Sequence, residues 1–365
     1  MIEIHSLEDR HRWNGLITTL PTADLRQSYE WGEIRRRYGW TPLRLAALDD
    51  GECVAALSVL SRWLPGVGTV AYAPRGPALC PEDKRGWAAL PALVDAVRET
   101  TRAVFLRVSP GLSTDHWDLT RRLAEAGFVE LRDFWSMWNT PRNVMRLAVT
   151  GSESELLAAM ARKRRQHIST AAKKGVTSEI VTDRAALREV YAVLSVHAAR
   201  HRYPIRDWSY FETLHDAFAP AGAFGMAVGR VHGVLASALI GVGFGATAYA
   251  LSAPSSDAAR GVPVGDAVHW TWIRWARSAG CREIDFGSSG THVPPRATDG
   301  NLGIYRFKEE LGARLMLNVG YHDRVFRPAR YRLARLVELR VLPGAWHRLA
   351  RLPVGMRAAL ARRVA

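Results

Sequence analysis

Two passages decide how the chain is built: Thr69-Val-Ala-Tyr-Ala-Pro-Arg-Gly-Pro-Ala-Leu79 and Thr247-Ala-Tyr-Ala-Leu-Ser-Ala-Pro-Ser-Ser256. The first leads through a helical stretch to Ala103-Val-Phe-Leu-Arg-Val-Ser-Pro110, the second through another to Arg282-Glu-Ile-Asp-Phe-Gly-Ser-Ser289. A strand carrying Tyr, an irregular loop, a helix and a short strand recur in the same order, which points to duplication.

Outward from these passages, residues 1–150 read as alternating strand and helix. A helix capped by Ser6 runs to Trp13, and Tyr29–Tyr38 follows. Then come apolar strands Cys53–Leu60 and Gly68–Ala73, a helix from about Glu82 to Thr101, and strand Ala103–Val108. Helix Trp117–Ala126 ends at Gly127, before an aromatic strand near Phe134–Trp138. Residues 151–320 repeat the plan, with a helix Glu153–Lys174 closed by Gly175, a helix Arg184–Arg200, and strands Gly225–Val231, Val234–Gly241 and Thr247–Leu251. Apolar residues at 264, 268, 272, 275 and 279 form a helical stripe that stops at Gly280, before strand Arg282–Phe286. The expectation is a mixed α/β (α+β) fold of two domains, 1–150 and 151–320, with 321–365 as a separate basic segment.

Fifty Lys+Arg against 35 Asp+Glu give a formal net charge of +15, which favours a polyanionic partner. Cys53, Cys80 and Cys281 lie too far apart for a C-x-x-C site, so neither a disulfide framework nor a zinc site is suggested, and no metal is expected. The charged N-terminus lacks the apolar core of a signal peptide, and a cytoplasmic protein is expected. The 21 residues from Gly233 to Ala253 carry no charge and could span a bilayer by length, but Gly241-Val-Gly-Phe-Gly245 between short apolar runs reads as two buried strands joined by a tight turn. In the last segment eleven arginines between 324 and 363 alternate with leucines such as Leu333, Leu336 and Leu339. That basic amphipathic pattern suits either a solvated helical end or contact with lipid head groups or RNA phosphates.

Several motifs dissolve on inspection. Gly241–Ala246 matches G-x-G-x-x-[GA], yet a strand rather than a helix follows it. His197 and His201 are four apart, but alanine follows His197, so H-E-x-x-H is absent. There is neither a Walker A sequence nor a G-x-S-x-G elbow. The run Arg162-Lys-Arg-Arg-Gln-His167 reads by default as a solvated face.

Four segments in order resemble the FemABX family of tRNA-dependent, peptidoglycan bridge-forming aminoacyltransferases. They are Gln27-Ser-Tyr-Glu-Trp-Gly-Glu-Ile-Arg-Arg-Arg-Tyr-Gly-Trp40, the basic helix from Met160 to Gly175, Ile284-Asp-Phe-Gly-Ser288, and Gly303-Ile-Tyr-Arg-Phe-Lys-Glu-Glu-Leu-Gly312. The resemblance spans residues 25–325. It implies two tandem GNAT-like acyltransferase domains, the C-terminal segment returning to the first, and transfer of Gly, Ala or Ser from aminoacyl-tRNA to an amine of lipid II or UDP-MurNAc-pentapeptide.

By the same resemblance, Phe307 and Lys308 match the pair that binds the tRNA 3′ end and stabilises the reacting ester. Arg206 and Tyr210 resemble the Arg and Tyr that hold the precursor's diphosphate and sugar, Arg35 stands where the family has a basic diphosphate ligand, and Tyr249 resembles a tyrosine of the same cleft. One departure is Ser109 in Arg107-Val-Ser-Pro110, where many members carry an acid, so the general base and the usual acceptor are both open. A second is Arg260-Gly-Val-Pro-Val-Gly265, where Pro replaces the middle glycine of the pyrophosphate loop of CoA enzymes. No cofactor is expected, and peripheral contact with an anionic membrane through the basic tail is. The alternatives are a tRNA-dependent transferase of specialised metabolism, an acyl-CoA N-acyltransferase, and a non-catalytic RNA- or membrane-binding protein.

An aminoacyl ester is already activated. The enzyme has chiefly to hold amine and ester in attack geometry and to stabilise the negative charge growing on the carbonyl oxygen, which a fixed cation such as Lys308 can do without a carboxylate.

Overall fold

The computed structural model describes residues 2–115, 118–132, 140–288 and 301–341. The aromatic strand expected near Phe134–Trp138, the helix start at Trp117 and the arginines beyond Val341 lie outside the described residues. In chain order the elements are β1 (Ile2–Ser6), α1 (Arg10–Ile17), α2 (Tyr29–Arg36), β2 (Thr41–Asp49), β3 (Glu52–Leu64), β4 (Gly68–Arg75), β5 (Ala78–Leu79), α3 (Lys84–Thr101), β6 (Phe105–Pro110), α4 (Leu119–Glu125) and β7 (Val129–Leu131). Next come β8 (Asn143–Ala148), α5 (Glu153–Ala159), α6 (Arg162–Lys173), β9 (Val176–Val181), α7 (Arg184–His201), α8 (Trp208–Phe218), β10 (Phe224–Val231), β11 (Val234–Phe244) and β12 (Thr247–Ser252). The last are α9 (Val264–Ser278), β13 (Glu283–Asp285), α10 (Leu302–Glu310), β14 (Arg314–Leu317), β15 (Tyr321–Val325), α11 (Pro328–Leu336) and a π-helical turn, Val337–Val341.

Two expected boundaries move for local reasons. Ser6 closes strand β1 instead of capping a helix, and the cap is Asp9, whose carboxylate accepts the amide of Arg12 at 2.7 Å. The helix expected over Glu153–Lys174 breaks at Met160, whose extended backbone (ψ 153°) separates α5 from α6.

The chain divides into two compact units, one holding residues up to Arg142 and again from Leu317 on, the other Asn143–Met316. The first unit's sheet runs β1-β2-β3-β4-β6-β15-β7, with β5 paired to β3; the second sheet runs β14-β8-β13-β12-β11-β10-β9. The recurrence seen in the sequence is a recurrence of topology. β4 crosses through α3 to a parallel partner, β6, and β12 crosses through α9 to a parallel partner, β13.

Each crossover helix buries one face on its own sheet. In the first unit Leu90, Leu93, Val94 and Val97 of α3 meet Leu45, Leu57 and Val59. In the second, Val268, Trp272, Ile273 and Ala276 of α9 pack over Ala227 and Leu239. The charge-free stretch is the hairpin β11–β12, as its glycines suggested, and Gly245 turns it at φ +55°. Gly241 is no phosphate loop: a Cβ there would lie 2.4 Å from the Trp272 ring, so the strand is thinned to admit a tryptophan. Among the described residues no helix is long and apolar enough to cross a membrane.

The segment after Leu317 joins the first sheet. β15 inserts antiparallel between β6 and β7. Buried Arg107 on β6 forms a two-pronged pair with Asp323 of β15 (2.7 and 2.8 Å) and another with Glu338 of the π-turn (2.6 and 3.1 Å).

Candidate active site

The most developed polar cluster around the expected site residues lies in the second unit, where α6, α9, β13 and α10 meet. Arg164 is the one member of the basic run Arg162–Arg165 that points inward. Its guanidinium donates to Asp266 (2.9 Å) on α9 and to Glu310 (2.7 Å) on α10, while Arg162, Lys163 and Arg165 are exposed. Asp266 is held on its other oxygen by His167 Nδ1 at 3.1 Å. The amide of Ala161 donates to the carbonyl of Glu310 at 2.8 Å, so the start of α6 is tied to the end of α10 by backbone as well.

This clamp fixes Phe307. The Arg164 guanidinium stands 4.7 Å from the centre of the Phe307 ring, and the imidazole of His269 meets the ring edge-on at 4.8 Å. His269 Nδ1 lies 2.7 Å from the carbonyl of Gly265. A carbonyl only accepts, so Nδ1 carries the proton and Nε2 presents a lone pair. Burial pushes His269 below the usual imidazole range, outweighing the hydrogen bond to Gly265 and the charge of Asp266, which raise it, with lesser help from the charges of Lys308 and Arg164. The ring is a neutral acceptor at neutral pH.

Lys308 is half-buried, and its Nζ donates to the carbonyl of Ser288 at 2.7 Å. Its neighbour Glu309 accepts from Tyr305 Oη (3.0 Å) instead. Loss of hydration pulls the ammonium down to about 8, with Asp285 partly opposing. Asp285 is buried at the end of β13, in register with Tyr249 of β12 on one side and Arg146 of β8 on the other. Its Oδ1 accepts the amide of Gly287 (2.7 Å); its Oδ2 accepts no hydrogen bond among the described residues and stands 3.9 Å from Arg146 Nε.

Arg206 and Tyr210 come together in the second unit. Asp207 caps α8, and the exposed Arg206 guanidinium lies 5.5 Å from the Tyr210 ring, leaving its donors free to reach outward. Tyr249 is buried, beside Asp285 in the sheet. Arg35 belongs to the first unit, at the end of α2, where it stands 6.0 and 5.7 Å from the Tyr38 and Trp40 rings. The rest of that segment is structural: Gln27 is buried, bridging β3 and β4 through Ser58 (2.8 and 3.0 Å) and the carbonyl of Pro74 (2.7 Å). Ser109, buried on β6, meets Tyr72 Oη at 3.2 Å and the amide of Arg75 at 3.3 Å. It offers no carboxylate.

Two family models match the chain in succession, the FemAB family over residues 14–128 and the acetyltransferase (GNAT) domain over 157–309. A lipid II:glycine glycyltransferase of Staphylococcus aureus (strain USA300) is 23% identical over 93% of this chain and 97% of its own. The crystal structure of FemX superposes with a TM-score of 0.82 at 21% identity, covering 90% of this chain and 99% of that one. In sequence and in fold the chain is similar to the FemABX family. A tandem GNAT protein from the clavulanic acid biosynthesis pathway shares the layout more distantly, with a TM-score of 0.50 at 13% identity over 88% of this chain and 98% of its own. The fold is two GNAT-like domains in tandem, with the C-terminal segment returning to the first sheet.

Residue patterns alone did not single out Arg164, Asp266, His269 or Asp285. Asp285 stood within a quoted segment, Ile284–Ser288, and Arg164 within the basic run; their burial is what distinguishes them. His269 lies one residue off the apolar stripe of α9 and had no signal of its own.

Proposed function

We propose that this chain is an aminoacyltransferase that moves an amino acid from aminoacyl-tRNA to an amine of a peptidoglycan precursor. The observation that carries the reading is the fixed pair at the start of the site. Phe307 is clamped between Arg164 and His269, and Lys308 is held by a backbone carbonyl rather than by an acid of its own helix. The near-full-length likeness to a lipid II:glycine glycyltransferase supports a cell-wall acceptor.

In this reading the acceptor amine attacks the ester carbonyl of the aminoacyl group, and the ester C–O bond breaks to release the ribose hydroxyl of the tRNA. The Lys308 ammonium stabilises the oxyanion of the tetrahedral state. His269 Nε2 takes the proton from the attacking amine and returns it to the leaving ribose oxygen, the duty for which Ser109 has no carboxylate. Phe307 packs against the terminal adenosine. Within the second unit Arg206 and Tyr210 bind the acceptor's diphosphate and sugar, Tyr249 is assigned to acceptor binding by the family likeness, as is Arg35 of the first unit, and exposed cations of α6 suit the tRNA backbone. Pro263, at the N-cap of α9 and without an N–H to give, weakens the case for a CoA pyrophosphate there. The basic C-terminal segment gives peripheral contact with an anionic membrane.

The test offers the purified protein a mixture of labelled aminoacyl-tRNAs with lipid II or UDP-MurNAc-pentapeptide, and identifies the product by mass. Ribonuclease-sensitive labelling of the precursor is expected. Transfer from acetyl-CoA that survives ribonuclease would overturn the tRNA reading.

A further inference from the structure

Helix α11 and the π-turn after it have two faces, and among the described residues only one is used by the fold. On the inner face Tyr331 and Ala334 pack against the cluster of Val67, Val70 and Phe105, with the Tyr331 and Phe105 rings 5.4 Å apart edge-to-face. Tyr331 Oη donates to Asp323 at 2.9 Å, and Glu338 is buried against Arg107. These contacts fix the helix and its rotation.

The outer face is apolar. Leu333, Leu336 and Leu339, three residues apart, are 42%, 56% and 40% exposed. Arg327, Arg330, Arg332 and Arg340 lie exposed around them, and none forms an ion pair with a carboxylate among the described residues. A single exposed leucine is ordinary. Three in one stripe, on a helix already anchored by its inner face, beside guanidinium groups that pair with no carboxylate among the described residues, is a surface with a chemistry of its own. Nucleic acid would satisfy the arginines and leave the leucines against phosphate and water. A bilayer with anionic head groups satisfies both, the leucines entering the boundary of the acyl chains while the arginines reach lipid phosphates.

We propose that the outer face of α11 and the π-turn, built on Leu333, Leu336 and Leu339, docks this protein on an anionic lipid bilayer. The inference rests on the reading that the C-terminal segment contacts membrane. It places that contact on the anchored helix rather than on the arginines further along the chain, and it does not depend on the transfer chemistry.

The experiment is co-sedimentation of the full chain with vesicles of phosphatidylglycerol and phosphatidylcholine, with phosphatidylcholine alone as control. Wild type should bind the anionic vesicles, more weakly as salt rises. Leu336→Asp and the milder Leu333→Gln should weaken binding, the former by about tenfold or more, since each removes apolar contact and the first adds a repelled charge. Their melting temperatures should match wild type, because both side chains face outward. The combined variant Arg348→Ala, Arg351→Ala, Arg357→Ala should retain most of the apolar contribution. If wild type ignores anionic vesicles, the membrane reading itself fails. If the leucine variants bind as wild type while the triple arginine variant does not, the segment binds lipid but this face is not the docking site. Binding of tRNA that is lost in the leucine variants, or a dimer that dissociates in them, would assign the face to RNA or to a second copy and overturn the proposal.

Discussion

The Arg164 guanidinium stands 4.7 Å from the centre of the Phe307 ring while bonded to Asp266 and Glu310. The basic helix and the Phe-Lys segment, far apart in sequence, are therefore one construction, in which α6 holds the Phe307 ring in place. Arg164→Met should lower kcat by about tenfold to a hundredfold through misplacement of Phe307 and Lys308, with the acceptor's KM little changed. Arg164→Lys should not restore activity, since an ammonium cannot reach both carboxylates and cover the ring. Steady-state kinetics beside a thermal melt checks this: a lower melting temperature with kcat within about threefold of wild type would reduce the clamp to a stabilising contact.

Lys308 predicts a pH limb of definite sign. Burial lowers it to about 8, so the cation is present below that value and is lost as pH rises through it. If the ammonium stabilises the oxyanion, kcat falls above about 8. His269, held below its usual 6.5, is competent as a base above its lowered value and closes the acid side. A bell-shaped profile results. Lys308→Met should cost about a hundredfold or more in kcat, the loss of one oxyanion donor, with acceptor binding nearly unchanged. His269→Gln should flatten the acid limb and leave the alkaline one. Single-turnover rates across pH decide the matter: a rate that climbs through 8 would make the neutral amine of Lys308 the active form.

Sequence periodicity exposed the crossover helix α9, the hairpin β11–β12 and the duplicated strand-helix-strand order, because each depends on local spacing. The inward turn of Arg164 does not. Nothing in Arg162-Lys-Arg-Arg165 separates the third residue from its neighbours, and the acids that bury it lie 102 and 146 residues downstream. The break at Met160 was hidden for a related reason, since the helical pattern continues across it and the kink is held by α10 through Ala161 and Glu310. Gln27 shows the converse. It opens a segment that resembles a functional motif, yet its amide is consumed by the backbones of β3 and β4.

Arg206 and Tyr210 form an outward-facing pair, an exposed guanidinium 5.5 Å from an aromatic ring. Bound to a diphosphate, such a pair contributes to the substrate and transition-state complexes alike. Arg206→Ala should therefore raise the acceptor's KM with kcat nearly constant, and Tyr210→Leu, which removes the ring that orients the cation, should do the same to a smaller degree. Should KM stay put while turnover falls, the pair acts at the reacting centre instead.

The chain returns to the first sheet around a buried arginine. Arg107, fully buried on β6, satisfies two carboxylates, Asp323 on β15 and Glu338 after α11, and the acids in turn raise its affinity for its proton. Arg335 pairs with Glu338 from outside, and Tyr331 donates to Asp323. Removing only the arginine strands two buried negative charges. Arg107→Met should accordingly cost about 3–5 kcal/mol, read as a lower denaturation midpoint of the first unit. The triple variant Arg107→Met, Asp323→Leu, Glu338→Leu should recover much of that loss, because an apolar trio of similar volume has no charge to desolvate. This comparison separates the cost of breaking the network from its net worth. If Arg107→Met alone unfolds at the wild-type midpoint, the pairing does not hold the C-terminal segment on the sheet, and β15 with its neighbours on β6 and β7 must do so by backbone hydrogen bonds alone.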